Sequence, residues 1–298
     1  ASNVAVGVQA LLSNTTASEN VAVGYQALYD NTTGEKNTAV GTAALTNNTT
    51  ASNNSAFGRE ALKYNTTGAS NVAVGREALV SNTTASANTA VGYQSLYTVA
   101  TSSENTALGY QAGYNATNVE ATYVGFKAGY GVTTAASGTA VGRLALGGNS
   151  AGVTGAENVA VGNAAMYVVT SGTDNVAVGA LSLFDNTTGS YNTALGSDAL
   201  GNNTTAIDNT AVGYQALYTN TTGSYNTAIG LNALKSNTTA NFNLAAGFEA
   251  LRDNTTGTNN VALGGYQALI QNTTGNYNVA VGFAALQANT TASNNTAV

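Results

Sequence analysis

Apolar and polar residues follow one another along this chain in a pattern that returns every 17 residues. Residues 20–36, NVAVGYQALYDNTTGEK, contain the whole pattern, and most of the remaining chain repeats it with few changes. A unit this short cannot close a hydrophobic core of its own, so each unit has to bury its apolar side chains against the units before and after it. The pattern therefore predicts an all-β fold, a parallel β-solenoid of the β-roll or β-helix type, with coils of about 17 residues.

The first five residues of each unit predict a short strand. Val21 and Val23 are β-branched and share one face of that strand, whereas Ala22 points to the other face. The alanine returns in every unit except one, where Tyr123 stands. A strand position in contact with water would accept many residue types, so a fixed alanine predicts close packing on its side, against either the opposite wall of the same coil or another chain. Gly24 then supplies a bend that other residues reach only with strain.

Two structures compete for the segment after the glycine. Tyr25-Gln26-Ala27-Leu28 and its equivalents are rich in helix formers, which indicates one helical turn per coil. An extended segment that forms a second short strand fits nearly as well. In either case we expect the recurring leucine to point into the core and the following Asn-Thr-Thr to turn the chain back.

Irregularities in the repeat lead to further predictions. Between about residues 93 and 174 the spacing of the strand glycine varies, Asn-Thr-Thr disappears apart from Asn115-Ala116-Thr117, and leucine gives way to Gly113 and Gly129. Such a region is either a contact face or a relaxed seam between two duplicated blocks, and we favour the seam. We expect residues 1–298 to form a single repeat solenoid with irregular coils at about 93–174.

The residue after Asn-Thr-Thr alternates between alanine and glycine, as in Ala17 and Gly34. This superperiod of 34 residues fits either a duplicated pair of coils or a coil that contains two 17-residue halves. A single extra residue at Gly265 predicts a β-bulge.

The composition narrows the classes of function. Charged residues make up 7% of the chain and the formal net charge is −6, so no basic surface is available for nucleic acid. The chain contains no histidine and no cysteine, and it therefore lacks the commonest general base and metal ligands. No run of eighteen consecutive apolar residues predicts a membrane span. We expect no enzyme activity, no cofactor, no metal, no nucleic-acid partner and no membrane insertion.

Two asparagines recur in each unit, one before the strand and one in Asn-Thr-Thr. Stacked at about 4.8 Å, asparagine side chains can bond the next coil, so both columns predict ladders. Asn-Thr-Thr is also an N-glycosylation acceptor in form, which predicts a glycoprotein with sugars along one edge, and turn chemistry is the equal alternative. The candidate acceptors are Asn14, Asn31, Asn48, Asn65, Asn82, Asn115, Asn186, Asn203, Asn220, Asn237, Asn254, Asn272 and Asn289.

The strand signature Asn-Val-Ala-Val-Gly resembles the S-V-A-I-G-type repeat of the head domains of trimeric autotransporter adhesins, which are left-handed parallel β-rolls in a homotrimer. Residues 209–230, NTAVGYQALYTNTTGSYNTAIG, resemble repeat arrays in tail-fibre-like and surface proteins of bacteria and phages. The likeness covers nearly the whole chain, although the unit here is longer than that of the adhesin head. The resemblance implies an extracellular or cell-surface protein with a binding or structural role, and a homotrimer as one form of self-association.

The leading hypothesis is a structural subunit of an extracellular filament or adhesive appendage. Both ends of the chain carry a full strand motif, and neither terminal strand contains proline or lysine to blunt its edge. We expect uncapped coils to stack head to tail into a homopolymer, unless these residues are a window on a longer array. The residues at the stacking ends are Val4, Ala5, Val6, Thr296, Ala297 and Val298.

An ice-binding or glycan-binding solenoid module is the alternative hypothesis. Threonine ladders such as Thr15, Thr32 and Thr49 would present a flat ordered array, and surface glycans would then be a second partner. For ice binding, the interruption of the ladder and its position beside turns instead of within a strand both count against this role.

Overall fold

The computed structural model describes residues 2–117, 120–134, 137–148 and 152–298. In these residues the chain is all-β and forms the parallel β-solenoid that the 17-residue period predicts, with short strands, turns and no helix. The strands are β1 (Val4–Val6), β2 (Val21–Val23), β3 (Thr38–Val40), β4 (Ser55–Phe57), β5 (Val72–Val74), β6 (Thr89–Val91), β7 (Thr106–Leu108), β8 (Thr122–Val124), β9 (Thr139–Val141), β10 (Val159–Val161), β11 (Val176–Val178), β12 (Thr193–Leu195), β13 (Thr210–Val212), β14 (Thr227–Ile229), β15 (Leu244–Phe248), β16 (Val261–Tyr266), β17 (Val279–Val281) and β18 (Thr296–Ala297).

The chain divides into two compact units. The first contains Ala1–Leu144 and Gly148–Thr154, and the second contains Ala145–Gly147 and Gly155–Val298. Within the first unit β1 to β9 pair in chain order, each parallel to the next, and within the second β10 to β18 do the same.

Strand register fixes the length of the coil. Val4 pairs with Val21 in the first unit, and Val159 pairs with Val176 in the second. One coil therefore contains 17 residues, which excludes the 34-residue coil. The bulge predicted at Gly265 is confirmed, because the register of β15 against β16 shifts between Ala246 and Phe248.

Alanine and leucine form most of the core. Ala22 is fully buried while Val21 and Val23 on the same strand are only half-buried, so the alanine face points into the coil and packs within one chain. The predicted inward leucine is confirmed, since its side chain is fully buried at Leu28, Leu45, Leu62, Leu79 and Leu96. The sequence had left open what covers the alanine, and the interior of its own coil is the answer.

Replacing Leu62 with alanine is expected to lower the free energy of unfolding by about 2 to 5 kcal/mol, because the leucine is fully buried and the coil above and below holds the cavity open. Guanidinium chloride denaturation of the two proteins measures this difference. A loss below about 0.5 kcal/mol is typical of surface positions and would contradict the inward assignment.

The glycine after a regular strand is required because its backbone has a positive φ and because the next coil leaves no room for a Cβ atom. Gly24 has a φ of +137°, which side-chain-bearing residues rarely adopt. A Cβ atom added there would lie 2.6 Å from the carbonyl oxygen of Gly41 in the next coil. The bend predicted at this glycine is therefore confirmed. Positions in a coil are counted below from this residue, so that Leu28 is position +4.

The segment after the glycine is neither a helical turn nor a strand. Gln26 and Leu28 have positive φ values of 55° and 51°, and Ala27 between them does not. This alternation sends the Gln26 N–H back to the Val8 carbonyl at 3.1 Å and the Leu28 N–H forward to the Ala44 carbonyl at 3.0 Å. The predicted helical turn is wrong because bonds to both neighbouring coils offset the left-handed strain of about 1 to 2 kcal/mol per residue.

Two adjacent irregular coils differ from the regular core at three positions that contact one another. Tyr123 occupies the alanine position of β8 and is fully buried, and Gly113 and Gly129 occupy the leucine position of two coils. A Cβ atom at Gly113 would lie 2.6 Å from the Tyr123 Cδ2 atom, and one at Gly129 would overlap the same ring. The tyrosine ring therefore fills the space that two leucines would take. Its hydroxyl has no hydrogen-bond partner, and burial raises the pKa of its phenol.

Candidate functional site

A buried asparagine precedes each regular strand and bonds in three directions. The Asn54 N–H donates to Asn37 Oδ1 at 3.0 Å, and Asn54 Nδ2 donates to the Gly68 carbonyl at 2.9 Å. Asn54 Oδ1 in turn accepts the Asn71 N–H at 2.9 Å. All three asparagines are fully buried. The ladder predicted for this column is confirmed, and it satisfies backbone groups at the corner where the strand ladder begins.

The asparagine of Asn-Thr-Thr, at position +7, forms a second ladder inside the coil. Asn48 Nδ2 donates to Asn31 Oδ1 at 2.8 Å and to the Ala51 carbonyl at 3.0 Å. Asn48 Oδ1 accepts from Asn65 Nδ2 at 2.9 Å. The acceptor candidates that are fully buried are Asn31, Asn48, Asn65, Asn82, Asn186, Asn203, Asn220, Asn237, Asn254 and Asn272, and those that are half-buried are Asn14, Asn115 and Asn289.

This burial bears on the glycosylation hypothesis. An N-linked sugar is attached to the asparagine side-chain nitrogen. In Asn48 that atom lies inside the coil and donates two hydrogen bonds. The geometry therefore favours the structural interpretation of this column, and glycosylation stays a prediction.

Apolar residues replace the second ladder where the repeat loosens. Four buried side chains stand at position +7 there, and they are Val99, Ala116, Val132 and Val169. The ladder therefore has open ends within the chain. Asn82 Oδ1 has no hydrogen-bond partner because Val99 follows it, and Asn186 Nδ2 donates to the Gly189 carbonyl but to no asparagine. The irregular region thus exchanges a polar ladder for an apolar one.

The threonine row considered for ice binding bonds to the protein itself. The Thr32 hydroxyl donates to the Thr49 carbonyl at 3.0 Å, and the Thr49 hydroxyl donates to the Thr66 carbonyl at 3.1 Å. Each hydroxyl therefore joins two coils through its single proton, which is no longer free to order an external ligand.

The outward face of the strands is uncharged and largely apolar. Its two columns contain aliphatic residues, threonine, serine and one phenylalanine, and Leu108 and Ile229 are exposed by 49% and 45%. Next to it, the row at position +1 contains an exposed ring in several coils, as at Tyr25, Tyr110 and Tyr214, and other coils place non-aromatic residues there, threonine and arginine among them. The sequence analysis left the direction of the strand faces open, and the fixed alanine was the signal that identified the inner one. Exposed apolar surface of this extent is typical of interaction faces.

Aromatic rings stack from coil to coil in that outer row. In the first unit Tyr93, Tyr110 and Phe126 stack with centroid distances of 5.2 Å and 5.3 Å. In the second unit Phe248 and Tyr266 stack at 5.4 Å, and Tyr266 stacks on Phe283 at 5.2 Å. Each of these six coils therefore contributes one ring to a stack.

A second row of rings stands at position +5, and it breaks in the second unit. Tyr167 and Phe184 stack at 5.2 Å with nearly parallel planes, but the next coil places Gly201 in the row and the one after it places Tyr218. A cavity of about 310 Å³ opens at this break. Its lining residues are Leu181, Phe184, Asp185, Asp198, Gly201, Asn202 and Tyr218.

Charged residues pair locally on the surface. Arg76 contacts Glu77 at 2.8 Å, and the pKa of Glu77 is lowered first by the hydrogen bond from Gln94 and then by Arg76. Arg252 contacts both Glu249 and Asp253. Among the described residues, no three histidine, cysteine, aspartate or glutamate side chains come together in a group that could hold a metal ion. The same part of the chain contains no helix of the length and apolarity needed to cross a membrane.

Five of the six stacking residues named from the sequence are exposed. Val4 and Val6 are exposed on the outward face of β1, and Ala5 between them is exposed although its equivalent Ala22 is fully buried. At the other end Thr296 and Val298 are exposed and Ala297 is half-buried.

Neither the models of known protein families nor the curated proteins match this sequence. The geometry of the coils is therefore the main evidence for the function of this protein.

Proposed function

We propose that this chain is a structural segment of an extracellular fibre or adhesive appendage, in which coils stack between chains as they do within one chain. The observation that carries the proposal is the self-complementarity of the coil. The Asn71 N–H donates to Asn54 Oδ1 at 2.9 Å in the first unit, and the Asn226 N–H donates to Asn209 Oδ1 at 2.9 Å in the second. One face of a regular coil therefore fits the opposite face of any other.

The same contact defines an interface between copies. Asn3 Oδ1 accepts the Asn20 N–H at 2.9 Å, and the Asn295 N–H donates to Asn278 Oδ1 at 3.0 Å. The next bond of this ladder would join Asn295 Oδ1 of one copy to the Asn3 N–H of another. Such a head-to-tail contact uses two different faces and propagates into a filament.

The extracellular setting follows from the resemblance to adhesin heads and tail-fibre-like proteins. The resemblance to adhesin heads also implies a homotrimer, and the uncharged outward strand face supports side-by-side association of that kind. Leu108 and Ile229 on this face are about half exposed, and burying them against another copy would add hydrophobic stabilisation.

A blocking variant tests the end-to-end contact. Val298 is outward and exposed, whereas Asn295 and Ala297 belong to the inward columns, so Asn295→Lys with Ala297→Lys places two cations in the stacking face. We expect the 298-residue protein to form filaments as its concentration rises, and the double variant to stay monomeric, by electron microscopy and sedimentation velocity. Val298→Lys is the matched control and should still assemble. A parent protein that stays monomeric at every concentration, or a double variant that assembles equally well, contradicts the proposal.

A further inference from the structure

The cavity at Gly201 lies between two aromatic walls. Phe184 forms one wall and is held in place by Tyr167, whose ring stacks on its other face at 5.2 Å with an interplanar angle of 6°. Tyr218 forms the other wall and leans towards the gap, since a Cβ atom added at Gly201 would lie 3.0 Å from its Cε2 atom. The stack thus lacks one ring layer, and the space that remains suits a flat group.

Two carboxylates line the same space. Asp185 and Asp198 take part in none of the ion pairs of the described residues, and the side-chain hydrogen bond of Asp198 comes from the Ser197 hydroxyl at 3.3 Å. Burial raises the pKa of Asp185, which means that its negative charge is poorly solvated. A cation in the gap would offset this cost. Lys235 stands one coil beyond Tyr218 in the same row and forms no ion pair with either aspartate.

Elsewhere in the chain an arginine occupies the position that corresponds to Gly201 and pairs with two acids. Arg252 stands at position +5, as Gly201 does, and its guanidinium group contacts Glu249 at position +2 and Asp253 at position +6. The Nε and Nη2 atoms of Arg252 donate to the two oxygens of Asp253 at 2.8 Å and 2.9 Å, and Nη1 donates to Glu249 at 3.1 Å. These bonds, first that to Asp253, raise the pKa of Arg252.

The cavity offers acids in the same two columns without the arginine, although its acids come from adjacent coils instead of one. Asp198 stands at position +2 of its coil, as Glu249 does, and Asp185 stands at position +6 of the preceding coil, in the same column as Asp253. Gly201 contributes no side chain between them. We infer that the cavity binds a guanidinium group, such as the side chain of an arginine on a partner or of free arginine.

Shape and charge together select this group. A guanidinium ion is planar, stacks on aromatic faces and donates in a fork to carboxylates, so it uses both walls and both acids. An ammonium ion is compact and more strongly hydrated, which weakens its contact with the rings. A neutral sugar would stack on the rings but would leave both carboxylates without a counter-charge.

Calorimetric titration with methylguanidinium tests the assignment on the 298-residue protein. We expect saturable binding to the parent protein, binding at least about tenfold weaker to Asp185→Asn with Asp198→Asn, and no binding to Gly201→Tyr, in which a ring closes the gap. The backbone of Gly201 lies outside the left-handed region, so its conformation accepts a side chain, and the Tyr218 ring, 3.0 Å from the added Cβ atom, has to move aside. Far-ultraviolet circular dichroism verifies that each variant keeps the fold.

Asp30→Asn is the matched control. Asp30 also stands at position +6, but the next coil places Thr46 instead of a glycine at position +5 and Ala43 instead of an acid at position +2. We expect this variant to bind like the parent. No saturable binding by the parent, equal binding by Gly201→Tyr, or tighter binding of methylammonium or methyl glucoside than of methylguanidinium would each overturn the inference. None of these results depends on whether the chains form filaments.

Discussion

Replacing Tyr123 with alanine is expected to lower the free energy of unfolding by about 3 to 5 kcal/mol. The ring is fully buried, and glycines at positions 113 and 129 leave no side chain that could move into the space it vacates. A large cavity would therefore open in the first unit, in the coils around β8. Guanidinium chloride denaturation, followed by circular dichroism, measures the change.

A triple substitution provides the rescue. Tyr123→Ala with Gly113→Leu and Gly129→Leu restores the regular core, and both glycines have φ values, +62° and +63°, close to the 51° of Leu28. A Cβ atom at Gly113 would also lie 2.9 Å from Leu96 Cδ2, so that flexible side chain has to rotate. We expect the triple variant to recover most of the lost stability, and Gly129→Leu alone to destabilise the protein because it collides with the ring.

The tyrosine hydroxyl provides a separate control. It is buried without a hydrogen-bond partner, and such a group costs about 1 to 3 kcal/mol. Tyr123→Phe should therefore be as stable as the parent or more stable. A Tyr123→Phe loss as large as that of Tyr123→Ala, or a triple variant no better than Tyr123→Ala, would show that the three positions are not one packing unit.

Much of the fold could be predicted because each regular coil meets nearly identical neighbours. The 17-residue period predicted that coils stack, the recurring leucine predicted a buried column, and Gly24 predicted a bend after the strand. Each of these predictions depends on one residue type that meets the same environment in every regular coil. Helix propensity failed at Gln26 and Leu28, since isolated helical turns gain little in water while bonds to two adjacent coils are available in the solenoid. Local helix preference was overridden by hydrogen bonds to residues 18 positions before Gln26 and 16 positions after Leu28.

The cavity at Gly201 could not be predicted in the same way. Asp185 and Asp198 belong to different columns, and only the folded coils bring position +6 of one coil next to position +2 of the following one. A partial signal was nevertheless present, because Arg252 stands in the column of Gly201 and pairs with acids in the columns of Asp198 and Asp185, although both of those acids lie in its own coil.

The packing of Tyr123 against Gly113 and Gly129 could also have been recognised from the sequence. The sequence analysis noted the loss of alanine at Tyr123 and the loss of leucine at Gly113 and Gly129 as separate irregularities. They are linked by volume, since one large side chain on the strand wall requires small residues on the opposite wall. In a repeat protein, compensating departures within adjacent coils therefore indicate direct contact.

The buried asparagine ladder predicts that removing one polar side chain lowers the stability of the protein. Asn54→Ala removes one acceptor and one donor. The Asn71 N–H loses its partner inside the coil, whereas the Gly68 carbonyl keeps the hydrogen bond from Asn65 Nδ2 at 2.9 Å. The backbone N–H of residue 54 keeps its bond to Asn37 Oδ1, so the damage is confined to one side of the ladder. One buried N–H without a partner is expected to lower the free energy of unfolding by about 1 to 3 kcal/mol.

Hydrogen exchange separates this mechanism from a simple loss of packing. Unprotected amides exchange through local opening, so the Asn71 N–H should exchange faster in Asn54→Ala than in the parent. Thr50→Ala is the matched control, because Thr50 is exposed in the same coil, and its stability should stay within about 0.5 kcal/mol of the parent. If Asn54→Ala proved as stable as Thr50→Ala and left exchange at Asn71 unchanged, the ladder would contribute no stability. The recurrence of asparagine at this position would then have to come from the turn geometry alone.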